Sequence, residues 1–128
     1  AEGTTDHPDY RRAEQEYNRR FVSRKPRSPV ADCAGSVRND LIYRQMWGPT
    51  EFHATGSLKS FDVTGRLGEL RLPVLFLVGQ YDEARPETAA RYQQKIQGAK
   101  LAIIAEAAHA LWFDNREETL RVLKEWLA

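Results

Sequence analysis

The chain has 128 residues, enough for one domain, with 19 basic against 18 acidic residues and a formal net charge of +1. This near balance gives no electrostatic preference for nucleic acid or an anionic membrane. No apolar run approaches the length of a membrane span, and we expect no signal peptide in the polar start, which looks like a cut within a longer chain. We therefore expect neither a nucleic acid nor a membrane as partner. The one cysteine, Cys33, cannot form an internal disulfide, which fits a reducing compartment or simple indifference to redox. We expect a cytoplasmic location.

The first half of the chain carries helical patterns and no strand-like segment. Pro8–Phe21 is charged and permits a helix, with Asp6 as the expected N-cap. Ser23–Pro29 contains two prolines and interrupts the pattern. Val37–Trp47 predicts a second helix, with Val37 and Leu41 on its apolar side. These helices present only thin apolar stripes.

The second half alternates between strand and helix patterns. Leu72–Val78 is a nearly continuous apolar run, typical of a strand buried on both faces of a parallel sheet, and Leu101–Ile104 is a second one. A helix is predicted between them, over Pro86–Ile96, and an amphipathic helix over Arg116–Leu127. The apolar face of that last helix is predicted to consist of Leu120, Leu123 and Leu127. The pattern predicts an α/β fold.

Two strands as apolar as these need further strands beside them and helices on both faces. The thin stripes of the first half cannot supply that cover. We therefore predict that the chain is part of a larger fold and pairs with a polypeptide that carries the central strands. Produced alone, it should be insoluble, molten or oligomeric.

Each predicted strand is followed by a residue suited to acid–base chemistry. Asp82 follows the first strand and His109 the second, so a parallel sheet can bring them together at one edge. Asp82 would orient the imidazole, and His109 would move the proton of a serine hydroxyl. Acid before histidine, with room for one more helix, is the order found in the last part of an α/β-hydrolase. The alternative is that Asp82 is an ordinary turn residue after a strand and His109 an ordinary polar residue of a helix or loop.

The nucleophile of such a triad is not in this sequence. No Gly-x-Ser-x-Gly motif occurs, so the serine must come from elsewhere or not exist. His7 and His53 lack a comparable context, and the histidines and Cys33 show no metal-ligand spacing. We expect neither a metal nor a cofactor.

Several longer motifs resemble the proline iminopeptidase family of α/β-hydrolases, which includes tricorn-interacting aminopeptidases and L-amino-acid amidases. The segment from Met46 to Thr64 resembles the return from the family's cap domain to its core. Leu77–Pro86 resembles the loop of the catalytic acid, and Ala108-His109 the histidine loop. The similarity extends over most of the chain, including Gly3-Thr4-Thr5 near its start.

This resemblance implies the C-terminal part of an α/β-hydrolase, with its last two parallel strands and their helices, plus part of a helical cap. Residues 1–60 would be the partial cap and return segment, and 61–128 the core. Asp82 and His109 would be catalytic, while Glu51 and Glu83 would hold the free amino group of a peptide or amino-acid amide substrate. The serine would lie in the N-terminal polypeptide of the same enzyme.

Two other functions remain open from the sequence. The chain could belong to another capped hydrolase, such as an esterase or an epoxide hydrolase. It could also be a non-catalytic fragment that docks on a partner. Glu51 would then be a surface loop residue, and Glu83 an anion favoured at the start of a helix. Arg85, beside Glu83, is a departure from the family pattern that leaves substrate preference undecided.

Overall fold

The computed structural model describes residues 5–26, 39–50 and 52–128. Its elements in chain order are α1 (Pro8–Tyr17), a π-helical turn (Asn18–Val22), α2 (Asp40–Met46), a 3₁₀ helix (Thr64–Glu69), β1 (Leu75–Gly79), α3 (Pro86–Gln93), β2 (Lys100–Ile104), α4 (Leu111–Asp114) and α5 (Arg116–Leu127). In this described part, no helix is both long enough and apolar enough to cross a bilayer.

The two strands form a parallel pair, which confirms the predicted strand–helix–strand unit. Leu75 lies opposite Lys100 at one end of the ladder, and Gly79 lies opposite Ile104 at the other. The intervening helix α3 contacts both strands. Because the strands are parallel, both carboxyl ends lie at the same sheet edge, and the loops after Gly79 and Ile104 start side by side.

The buried core lies beneath the loop that follows β2. Ile104 and Ala107 are fully buried, Leu111 is nearly so, and Leu77 and Val122 pack against them. The core therefore joins the end of the sheet to α5 and supports the start of the histidine loop from below.

The predicted apolar face of α5 was partly wrong. Leu120 and Leu123 are half-buried, but Leu127 is 79% exposed. The helix instead buries Thr119 completely and packs Val122 against the core. A helix packs through side chains three and four positions apart, and here the buried row begins at Thr119. Its hydroxyl donates a hydrogen bond to the carbonyl of Asn115 at 2.7 Å, so this polar residue can be buried.

The start of α1 also differs from the prediction. The N-cap is His7 and not Asp6, and its Nδ1 accepts a hydrogen bond from the amide of Asp9 at 3.2 Å. Pro8 takes the first helical position, which places the preceding residue at the cap. In α2 the N-cap is Asn39, while the predicted start at Val37 lies outside the described residues.

The apolar side predicted for α2 and the start of the first strand need correction as well. Leu41 is 77% exposed and buries little surface. Strand β1 begins at Leu75 and not at Leu72, because Pro73 has no N–H to offer a ladder. The helix predicted over Pro86–Ile96 ends at Gln93, although Ile96 is itself buried.

Candidate active site

The side chains of Asp82 and His109 meet at the carboxyl edge of the sheet. Nδ1 of His109 lies 3.0 Å from Oδ1 of Asp82. The Asp82 side chain is only 4% exposed, whereas that of His109 is 56% exposed. A buried carboxylate thus holds one nitrogen of an accessible imidazole. This leaves Nε2 as the nitrogen that can exchange a proton with a neighbouring group.

Asp82 is held in place by the turn that follows β1. Its Oδ2 accepts a hydrogen bond from the amide of Gly79 at 3.2 Å, and its Oδ1 accepts one from the amide of Ala84 at 2.8 Å. Together with His109, these donors satisfy both oxygens of a carboxylate that is shielded from water. The local turn chemistry therefore fixes the orientation of the acid before any substrate is present.

The acid loop and the histidine loop are joined by hydrogen bonds along their length. The amide of Gln80 donates to the carbonyl of Ile104, and the amide of Tyr81 donates to that of Ala107, both at 2.9 Å. The side chain of Gln80 adds a further hydrogen bond between the two loops, in which its Oε1 accepts from the amide of Glu106 at 3.1 Å. Glu106 has a φ of 55°, the left-handed conformation that lets the chain turn here.

A segment from the N-terminal half packs against both loops. We call residues Phe21 to Lys25 the strap. The carbonyl of Phe21 accepts hydrogen bonds from the amides of Glu83 at 3.2 Å and His109 at 3.1 Å, and the carbonyl of Val22 accepts one from the amide of Ala110 at 2.7 Å. The strap thereby links the end of the first helical segment to the residues that form the site.

Glu83 borders two cavities beside the Asp82–His109 pair. One, of about 340 Å³, is lined by Tyr17, Phe21, Arg85 and residues of the acid loop. The other, of about 940 Å³, is lined by Glu83, His109, Phe52 and residues of the strap. Glu83 therefore borders the space that a ligand in contact with His109 would occupy.

Aromatic side chains form a wall next to Glu83. The Tyr17 ring lies 5.0 Å from that of Phe21 and 4.8 Å from that of Phe52, the latter edge to face. Burial raises the pKa of Tyr17, and the negative charge of Glu83 raises it further. Tyr17 thus stays a neutral donor beside an anionic acceptor. This role was not predicted from the sequence, because a tyrosine in a helical stripe gives no signal of its distant neighbours.

Asp114 is a second residue whose role was not predicted from the sequence. It is fully buried, and its carboxylate accepts hydrogen bonds from the amides of Arg24, Lys25 and Ala108 at 2.8–3.1 Å. The only available signal was a lone acidic residue after the apolar Leu111-Trp112-Phe113.

Comparisons with known proteins identify the fold to which this site belongs. No protein-family profile matches the chain. It is 35% identical over 127 residues to a proline iminopeptidase of Heyndrickxia coagulans, an alignment that covers 98% of this chain and 44% of the relative. The crystal structure of a proline iminopeptidase from Mycobacterium smegmatis superposes with a TM-score of 0.85 at 33% identity, covering 98% of this chain and 43% of that one. Over nearly its whole length the chain is similar to proline iminopeptidases.

A further solved structure agrees with this assignment. The crystal structure of VinJ superposes with a TM-score of 0.82 at 28% identity and covers 97% of this chain and 43% of its own. The chain thus spans under half the length of the relatives that it matches, and it corresponds to the C-terminal part of their α/β-hydrolase fold. This confirms the predicted fold class. The two parallel strands described above are a portion of that fold.

The structure places the remaining predicted residues less completely. Glu51 and Cys33 lie outside the described residues, although Phe52, next to Glu51, lines the larger cavity with Glu83. Arg85 borders the smaller cavity together with Glu83. In the part of the chain that is described, no group of three or more histidine, cysteine or acidic residues could hold a metal ion.

Proposed function

We propose that this chain is part of a serine hydrolase that releases an N-terminal amino acid from peptides or amino-acid amides. The observation that carries the proposal is the 3.0 Å contact between Nδ1 of His109 and Oδ1 of Asp82, at the edge of a parallel sheet. It is supported by the name proline iminopeptidase that the relatives share. The nucleophilic serine and the oxyanion hole are proposed to lie in the N-terminal part of the same enzyme, outside these 128 residues.

In this mechanism His109 acts as the base in two successive steps. Its Nε2 takes the proton of the serine hydroxyl as the oxygen attacks the scissile carbonyl, and it returns that proton to the leaving amine. It then activates a water molecule that hydrolyses the acyl-enzyme. Asp82 keeps Nδ1 protonated and stabilises the imidazolium that forms in each step.

Recognition of the substrate is assigned to Glu51 and Glu83. An α-ammonium group carries one positive charge and three donors, which two carboxylates in a shielded site bind through charge-assisted hydrogen bonds. A blocked amine would leave those carboxylates desolvated and unpaired, so the pair would select a free N-terminus. The placement of Glu83 beside His109 and the neutral hydroxyl of Tyr17 supports this assignment.

The domain organisation and location form part of the same proposal. Residues 1–60 would be a partial helical cap and return segment, and 61–128 the last part of the hydrolase core. In the described part, α1 and α2 bury no residue completely, as expected of elements that cover a site and do not form its core. We propose a cytoplasmic location, with which the single cysteine of these 128 residues is compatible.

The decisive experiment measures the kinetics of the full-length enzyme on an amino-acid amide. We expect Glu51→Gln and Glu83→Gln each to raise KM by about tenfold or more, equivalent to about 1.4 kcal/mol of binding free energy. Glu117→Gln is the matched control, because Glu117 is an exposed glutamate in the first turn of α5. The control should leave KM unchanged, and the N-acetylated amide should not be cleaved by any of the proteins.

Each alternative function has its own outcome. If neither glutamate variant raises KM while esters or epoxides are turned over, the chain belongs to another kind of capped hydrolase. If a fluorophosphonate probe labels no serine of the full-length protein, and no amide, ester or epoxide is turned over, the fragment is non-catalytic. Labelling of a serine together with raised KM values in both variants supports the aminopeptidase.

A further inference from the structure

The most unusual buried group outside the Asp82–His109 pair is the carboxylate of Asp114. It lies at the end of α4 and is fully buried. Among the described residues no basic side chain forms an ion pair with it. Its hydrogen-bond partners in this part of the chain are backbone amides and one hydroxyl, and all of them are donors. A buried charge satisfied by backbone amides and not by a counter-charge ties together the segments that supply those amides.

The donors come from two segments that are far apart in sequence. Oδ1 accepts from the amides of Arg24 at 2.9 Å and Lys25 at 3.0 Å, with the hydroxyl of Ser23 at 3.5 Å. Oδ2 accepts from the amide of Ala108 at 2.8 Å and also from that of Arg24 at 3.1 Å. Oδ1 therefore holds the strap alone, whereas Oδ2 holds both the strap and the residue directly before His109.

The same two segments are also joined directly around His109. The amide of His109 donates to the carbonyl of Phe21 at 3.1 Å, and the amide of Ala110 donates to that of Val22 at 2.7 Å. The backbone of His109 is thus fixed on its N-terminal side through Asp114 and on its C-terminal side through the strap. The strap reaches the acid loop too, because Arg24 lies over the ring of Tyr81 at 4.0 Å.

We propose that Asp114 is a positioning residue for His109. Its carboxylate locks the strap to the histidine loop, and this keeps the imidazole within hydrogen-bond distance of Asp82. The inference rests on the proposed function only in taking His109 as the proton carrier. Asp114 forms its hydrogen bonds with the strap and with the amide of Ala108, and not with the side chains of Asp82 or His109, so it acts through the backbone.

The test is Asp114→Asn in the full-length enzyme. An asparagine keeps the shape of the side chain but has only one acceptor oxygen. Its NH₂ group must therefore face either the strap amides or the amide of Ala108, which places two hydrogen-bond donors against each other. We expect kcat for an amino-acid amide to fall by about 10- to 100-fold, because small displacements of a catalytic group have effects of that size. We also expect loss of the downfield NMR resonance of the imidazole proton shared by Asp82 and His109.

The matched control is Thr119→Val. Thr119 is equally buried, lies on the adjoining helix and donates to the carbonyls of Leu111 and Asn115. This variant should lower the melting temperature while it keeps both kcat and the imidazole resonance. If Asp114→Asn keeps the resonance and loses no more activity than the control, Asp114 is merely structural and the inference is wrong.

Two further readouts separate this inference from the proposed function. If the wild-type enzyme does not cleave amino-acid amides, the proposed function fails, yet the imidazole resonance still decides the role of Asp114. If Asp114→Asn does not fold, hydrogen exchange on the wild-type protein decides it. The amide of Ala108 should be protected as strongly as those of β2, and exchange at the rate of an open loop would overturn the proposal.

Discussion

At the scale of single residues, Gly79 lies where the two loops of the site approach most closely. A Cβ atom at this position would lie 2.3 Å from the carbonyl oxygen of Ala108 and 2.4 Å from that of Ala107. Both are backbone atoms, so the contact cannot be relieved by a change of rotamer. The absence of a side chain here allows the acid loop to lie against the histidine loop.

We expect Gly79→Ala to lower the free energy of unfolding of the full-length protein by about 1–3 kcal/mol, the usual range for overpacking. Activity should fall further than stability explains, by about tenfold or more, because the loops that carry Asp82 and His109 are forced apart. Urea unfolding and the kinetics of amide hydrolysis measure the two effects.

The control for this prediction is Gly65→Ala in the 3₁₀ helix. A Cβ atom there would meet nothing within 4 Å, and the residue lies away from the site. Its stability and kcat should match those of the wild-type enzyme. Equal effects of the two substitutions would show that the general cost of replacing glycine, and not the approach of the two loops, governs the result.

At the scale of elements, the bounds of helices and strands were predicted best where residue types at the ends of an element mark its start or end. Helix α5 has the predicted bounds, Arg116–Leu127, and α3 begins at the predicted Pro86. Both strands were found because their apolar runs are long and unbroken. The errors came from contacts that no local pattern contains, such as the packing that leaves Leu127 exposed and buries Thr119 in its place.

The candidate site likewise has one part that the sequence predicts and another that it does not. Asp82 and His109 could be predicted to meet, because each follows a strand and parallel strands end at one edge. The strap, Tyr17 and Asp114 could not be predicted, because their partners are distant in sequence and are often backbone atoms. The carbonyl of Phe21 accepts hydrogen bonds from both loops of the site. Any residue type carries such a carbonyl, so the sequence gives no signal of it.

One element-level contact makes a direct prediction about stability. Asn115 caps α5 by accepting from the amide of Glu118 at 3.4 Å, and its own side-chain amide donates to the carbonyl of Ala105 at 3.0 Å. Asn115→Ala removes both contacts, and we expect it to cost about 1–2 kcal/mol of unfolding free energy. Urea unfolding of the full-length protein measures this loss.

Asn115→Ser separates the two contributions. Serine is also a favoured N-cap, but its shorter side chain does not carry the amide that reaches Ala105. This variant should recover part of the loss seen with alanine. If serine and alanine destabilise equally, the cap contributes nothing measurable and the bond to Ala105 accounts for the whole effect.

At the scale of the whole molecule, the described structure leaves much apolar surface uncovered around a small core. Ile103 on β2 is 51% exposed, Leu72 before β1 is 74% exposed, and Trp112 in α4 is 50% exposed. A parallel sheet is normally covered on both faces and has more than two strands. The relatives of this chain are more than twice as long, so the surface that would bury these side chains is expected in the N-terminal part of the fold.

We therefore predict that these 128 residues, produced alone, are insoluble, oligomeric or molten, whereas the full-length protein unfolds cooperatively. Light scattering after size-exclusion chromatography gives the oligomeric state, and near-ultraviolet circular dichroism with a thermal melt reports on tertiary packing. Co-expression with the N-terminal part should restore both a discrete complex and amidase activity, because it supplies the missing strands and the serine. A monodisperse monomer of the isolated chain with a sharp melt would contradict this prediction, since it would show that the exposed apolar residues need no further cover.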